Sequence, residues 1–128
     1  MSRFSYRRFF RSFGYAVRGL ARLIATEQNA RVHAVTAVVV AVLAIAFRLS
    51  RLEMAVLFFA IVQVFAIEIT NTAIEKLLDL LHPQTHDQIA YIKDALAGAV
   101  LLAAIIAVGV GVAVFYPHVI SLAHSLHL

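Results

Sequence analysis

Residues 68–79 read EITNTAIEKLLD, and they follow a run suited to lipid. At about 100° per residue, a helix through this stretch places Glu68, Asn71, Glu75 and Asp79 within about 80° of one another, on one face. Residues 54–67 contain no Asp, Glu, Lys or Arg. Carboxylates on a helix that leaves such a run are costly in hydrocarbon and point to a functional site. The pattern predicts divalent-metal and phosphate chemistry at a membrane surface, carried by membrane-spanning helices.

Composition agrees. Hydrophobic residues make up 62% of the 128-residue chain, against roughly 45–50% in soluble proteins. Mean hydropathy is +0.89. A soluble domain this small has too much surface for its volume to hide that many apolar side chains. The expected class is an all-α integral membrane protein, one domain over residues 1–128. With no cysteine, disulfides, thiolate metal sites and cysteine nucleophiles are excluded.

The net charge of +4 and pI near 10.0 raise the question of nucleic acid, and the placement of the charge answers against it. Seven of the eleven Lys and Arg residues fall in the first 31, beside apolar runs. That distribution fits an anionic lipid surface. Residues 3–25 are predicted to form an amphipathic surface helix. Arg3, Arg7, Arg8, Arg11, Arg18 and Arg22 fall within about 140° of one another, opposite Phe9, Phe10, Phe13, Val17, Leu20 and Ile24. The segment lacks the compact apolar core and cleavage site of a cleavable signal.

Three apolar runs follow, 32–47, 54–67 and 95–116. The second is shorter than the ~17–25 residues a span needs, unless its helix continues through the polar ladder. Helices containing the spans are expected at about 31–49, 53–81 and 93–116. His82-Pro83 and the polar residues after it break the second from the third, and Pro117 is expected to end the last. Gly109 and Gly111 predict close helix packing. Three spans put the N-terminal segment and residues 68–94 on one side with nine Lys and Arg, leaving Arg48 and Arg51 on the other. By the positive-inside rule the first side is cytoplasmic, where ATP is available.

Six of the seven acidic residues, Glu27, Glu68, Glu75, Asp79, Asp87 and Asp94, collect on that side. Clustered carboxylates repel one another unless a cation lies between them. An oxygen-rich, thiol-free set suits Mg²⁺, which takes one or two carboxylates plus substrate phosphates. The competing reading is a solvated helix end whose acids pair with nearby arginines. Lys93, at the mouth of a span, is either a point charge for phosphate or an interface anchor. Asn71 is either a site residue or glue between helices. His33, His82 and His86 form no metal-binding pattern. A P-loop, a protein-kinase glycine loop and a GxSxG elbow are all missing.

EITNTAIEKLLDLL at 68–81 and IKDALAGAVLL at 92–102, together with GYAVRGL at 14–20 and EQNARVH at 27–33, resemble the prokaryotic diacylglycerol kinase and undecaprenol kinase family. The resemblance covers nearly the whole chain. It implies a homotrimer of the bacterial cytoplasmic membrane, each subunit having an interfacial N-terminal helix and three transmembrane helices, with sites shared between subunits. It implies transfer of the γ-phosphate of Mg-ATP to a lipid hydroxyl. Matched by motif, Glu68 is the implied general base and Asn71 its orienting partner. Glu27 and Glu75 are the implied metal ligands that bridge the triphosphate. Lys93 and Asp94 match nucleotide contacts, as do Arg8, Tyr15, Asp79, Gln84 and His86. A lipid hydroxyl must lose a proton, and Glu68 is the ladder carboxylate nearest the apolar run, about 10 Å of helix rise from Glu75.

Two departures stand out. Tyr91 replaces a basic residue common in the family, and Ala30 an aromatic one, which predicts looser packing around Glu27. The ExNxRxH pattern at 27–33 tilts the implied substrate towards undecaprenol over diacylglycerol. Two other functions remain open: a non-catalytic membrane assembly protein whose ladder pairs subunits, and a proton-coupled transporter. A transporter carboxylate belongs near mid-membrane, whereas these acids run into a basic, loop-bounded region, which favours the kinase.

Overall fold

The computed structural model of the chain describes residues 5–84 and 86–126. All regular structure among them is helical: α1 spans Tyr6–Thr26, α2 Gln28–Ala46, α3 Arg51–Leu81 and α4 Asp87–Leu126. The expected surface helix over 3–25 is observed as α1, with Arg3 and Phe4 lying outside the described residues. None of its residues is buried. The phenylalanines cluster on one another, Phe9 meeting Phe10 and Phe13 edge-on at 5.7 and 5.1 Å between ring centres. Leu20 and Leu23 line a cleft against α3, and the exposed remainder of such an amphipathic face suits a lipid surface.

Three helices, α2, α3 and α4, are long and apolar enough to cross a membrane. α3 packs most extensively against α4 and more lightly against α2, while α1 meets α2. The compact core is small. Ala44, Leu49 and Leu57 are buried together, with Val40, Phe47, Val110, Val114 and Phe115 against them. Most large apolar side chains instead face outward, among them Val38, Phe58, Phe59, Leu101 and Ile105. That inversion is expected where hydrocarbon is the solvent, because apolar burial against another helix gains little over burial in lipid tails.

The turn between α2 and α3 is tightly specified. Arg48 adopts a left-handed conformation, φ 53°. Its N–H donates to Ile45 O, and the N–H of Leu49 donates to Ala44 O, both at 3.0 Å. These two bonds and the burial of Leu49 near Ala44 make a Schellman stop. Ser50 then starts α3 through a capping box: Ser50 Oγ accepts from the Glu53 N–H, and Glu53 Oε2 accepts from the Ser50 N–H at 2.7 Å. This S-x-x-E box starts α3 at Arg51, two residues before the expected 53.

The last helix differs most from expectation. It begins at Asp87, six residues before 93, and continues through Pro117 to Leu126. The prediction that it ends at 116 is therefore corrected. Proline removes one hydrogen bond and crowds the preceding turn, but it does not forbid a helix that neighbours support. Here the support is next door: His118 Nε2 lies 2.8 Å from Glu53 Oε1, and its ring lies against Phe47. Gly109 and Gly111 also differ, since a Cβ added at either meets no atom within 4 Å. Within the chain they make no close helix contact.

Candidate functional site

Position 27 is where the fold brings the N-terminal segment to the ladder. Glu27 is extended, φ −101° and ψ 128°, so it ends α1 and begins α2. This break turns the chain and presents the Glu27 carboxylate to α3. One turn later Ala30 is fully buried, so the small side chain at this position permits a close approach. The expected loosening around Glu27 is not observed.

A cavity of about 440 Å³ opens where α2, α3 and α4 meet, lined by Glu27, Gln28, Asn29 and His33 from one side, Glu68, Asn71, Thr72 and Glu75 from α3, and the apolar wall of Ala97, Val100, Leu101 and Ala104 from α4. Three of the four ladder residues therefore face one space. Asp79 does not line it. Residues 68, 71, 72 and 75 make one continuous stripe over two turns, while Asp79, on the same face one turn further, pairs with Lys93.

Glu68 is the most sequestered polar side chain of the cavity, 2% exposed, with Asn71 and Thr72 at 6% each. Two of their atoms, Glu68 Oε2 and Asn71 Oδ1, have no hydrogen-bond partner. A buried acceptor without a donor costs roughly 1–3 kcal/mol, a cost that a ligand donating a hydrogen bond removes. Both residues line the cavity, so a hydroxyl-bearing or protonated guest is the kind of ligand that could supply the missing donor.

The cavity is not isolated. His33 and Ala104 also line a second, largely apolar cavity of about 430 Å³ that extends between α2, α3 and α4 past Val40, Leu57, Val64 and Phe115. A polar chamber ending in Glu68 thus adjoins an apolar one in the spanning part of the bundle. His33 carries no metal-binding pattern in the sequence around it. Its position beside Phe65, at 6.3 Å between rings, makes it part of the wall between the chambers. Thr72 was overlooked in the sequence, although its spacing of four from Glu68 carries the signal.

Two ion pairs border the site. Lys76 Nζ donates to Glu27 Oε1 at 2.6 Å, and Thr26 Oγ1 donates to the same oxygen at 3.1 Å. The Lys76 ammonium first, then the Thr26 hydroxyl, hold the Glu27 carboxyl below its ordinary value. Lys93 pairs with Asp79, joining the first turns of α4 to the end of α3. The remaining residues named from sequence lie elsewhere. Arg8 and Tyr15 are exposed on α1, where Arg11 donates to the Tyr15 hydroxyl and Arg18 lies over its ring at 4.9 Å. Gln84, His86 and Asp94 are exposed around the α3–α4 connection. Within one chain these five do not reach the cavity.

Among the described residues, no three His, Asp or Glu side chains are placed to hold a metal by themselves. Glu27 and Glu75 line the same cavity. A two-carboxylate set fits an ion that keeps phosphate and water oxygens in its remaining positions, which is the habit of Mg²⁺.

Comparison with known proteins follows the same lines. Residues 14–115 match the sequence model of the family described as prokaryotic diacylglycerol kinase. The undecaprenol kinase of Bacillus subtilis is 38% identical over 110 residues, covering 86% of this chain and 89% of that protein. A diacylglycerol kinase of Synechocystis sp. is 42% identical over 112 residues, covering 87% of this chain and 64% of that longer protein.

Proposed function

The chain belongs to the prokaryotic diacylglycerol kinase family and is a multi-pass membrane lipid kinase, and from that premise we propose that it phosphorylates undecaprenol in preference to diacylglycerol, using Mg-ATP. The observation that carries the site reading is Glu68: a buried carboxylate with one unpartnered oxygen, on a residue that lines a polar cavity adjoining an apolar one. A lipid alcohol needs both environments at once. Its chain belongs with the apolar wall, and its hydroxyl donates to the unpartnered acceptor.

In this reading Glu68 removes the proton from the lipid hydroxyl as its oxygen bonds to the γ-phosphorus. The bond from that phosphorus to the β,γ-bridging oxygen breaks, and ADP leaves with the electron pair. Asn71, one turn from Glu68 on the same face, orients the base and the hydroxyl. Glu27 and Glu75 would hold the divalent ion, which would supply charge neutralisation to the triphosphate. Lys93 contacts the nucleotide from the α3–α4 end, with Asp79 and Asp94 near it. We give Arg8, Tyr15, Gln84 and His86 no separate step; in a homotrimer a neighbouring subunit brings such surface residues towards a shared site. Positioning and charge neutralisation are the main requirements of phosphoryl transfer, and this arrangement supplies both. The preference for undecaprenol is supported by the ExNxRxH pattern at 27–33. Placement of the site on the cytoplasmic side of a bacterial membrane is supported by the distribution of Lys and Arg.

The test is Glu68→Gln. It keeps the shape of the side chain and removes the base. The expected loss in turnover is about 10²–10⁴-fold, with nucleotide binding and assembly retained. Retained turnover would take the base role from Glu68, and lost assembly would give it a structural one.

A further inference from the structure

Lys76 follows Glu75 in sequence, yet the two side chains border different spaces. Glu75 and Glu27 line the polar cavity. Lys76 lines a cleft of about 690 Å³ between α1 and α3, with Arg22 and Thr26. Its ammonium nevertheless reaches back to Glu27 Oε1, 2.6 Å away and 49 residues distant in sequence. Lys76 therefore stands where the two spaces meet. It is the more exposed partner, with 60% of its side chain accessible against 29% for Glu27.

That contact has a consequence if Glu27 is a metal ligand, and the inference rests on that reading. Oε1 already accepts from Lys76 and Thr26, so a divalent ion bound there at ~2.0–2.1 Å competes with the ammonium for the same oxygen. The two cations also repel. Competition and repulsion together favour the departure of Lys76, a point charge on a flexible four-carbon stem. The anion that arrives with the metal is the polyphosphate. The same partner exchange is available at Lys93, which is held by Asp79 and lies in the segment expected to contact nucleotide.

We propose that Lys76 is a positioning residue that holds Glu27 in the metal-free enzyme and passes to a phosphate oxygen of the nucleotide when the metal takes Glu27. Metal alone has to break an ion pair and leaves Lys76 unpaired. Metal with nucleotide breaks the same pair and gives Lys76 a new anion. Metal and nucleotide therefore strengthen one another's binding, and by linkage the effect is reciprocal.

The test uses the full chain in detergent micelles, with Mn²⁺ binding followed by electron paramagnetic resonance, with and without a non-hydrolysable ATP analogue. Lys76→Met is expected to bind Mn²⁺ alone up to about five-fold more tightly, the ceiling for an exposed ion pair. The analogue is expected to improve its Mn²⁺ affinity less than it does for the unaltered protein. Lys76→Arg restores the unaltered behaviour. Unchanged or weaker Mn²⁺ binding by Lys76→Met overturns the proposal. Glu27→Gln separates the two levels. If it loses Mn²⁺ while Lys76→Met behaves like the unaltered protein, Lys76 alone is misassigned. If Glu27→Gln binds Mn²⁺ normally, the metal reading falls and the proposal with it.

Discussion

Glu68 and Asn71 each keep an oxygen without a donor inside a bundle that hides little else that is polar. Burying acceptors in this way is unfavourable for stability, and a guest that donates a hydrogen bond would offset that cost. Their neighbour Glu27 shows the opposite condition, satisfied by Lys76 and Thr26. The Lys76 ammonium depresses the Glu27 carboxyl below its ordinary 4.5. A carboxylate depressed in the folded protein stabilises it above the ordinary value, and that contribution is lost as pH falls through the lower, folded one. The carbon-13 carboxyl resonance of Glu27 is therefore expected to titrate below 4.5, and to move up towards it in Lys76→Met. One shared midpoint in both proteins would remove Lys76 as the cause. Glu68, Asn71 and Glu75 were legible in the sequence because one helix carries them at fixed spacing. The Lys76–Glu27 contact was not, because nothing local in either segment encodes a pairing across 49 residues.

The helices divide in the same way. Hydropathy located three spans, and arginine spacing located the surface helix, since both depend on local periodicity. Their ends depend on finer chemistry. The α2–α3 turn carries two effects of opposite sign that a single unfolding series in mixed micelles separates. Arg48 is held in a left-handed conformation, which for a residue with a Cβ costs ~1–2 kcal/mol, so Arg48→Gly is expected to stabilise the protein by about 1 kcal/mol. Ser50 caps α3, and Ser50→Ala is expected to destabilise it by about 1 kcal/mol. Equal stability in all three proteins would mean that the turn geometry described here contributes nothing. The far end of α4 was misread because proline is a strong stop signal on average. The contacts that carry this helix past Pro117, Glu53 with His118 and Phe47 against the same ring, are tertiary and leave no mark on the local sequence.

Taken whole, the chain exposes apolar side chains along all three long helices and along α1. Lipid covers such surface well, and so do other copies of the chain. The homotrimer proposed here predicts that the detergent-solubilised protein sediments as three chains. A monomer with full turnover would show that one chain completes the site, and would remove the route by which Arg8, Tyr15, Gln84 and His86 reach it. The central claim, that the buried carboxylate site phosphorylates a lipid alcohol and favours a polyprenol, is tested most directly in mixed micelles. These contain the full chain, γ-labelled ATP and magnesium, with undecaprenol and diacylglycerol offered in parallel. The expected result is label in the lipid fraction, faster with undecaprenol and dependent on magnesium. No label in either lipid contradicts the kinase assignment, and faster labelling of diacylglycerol contradicts the choice of substrate.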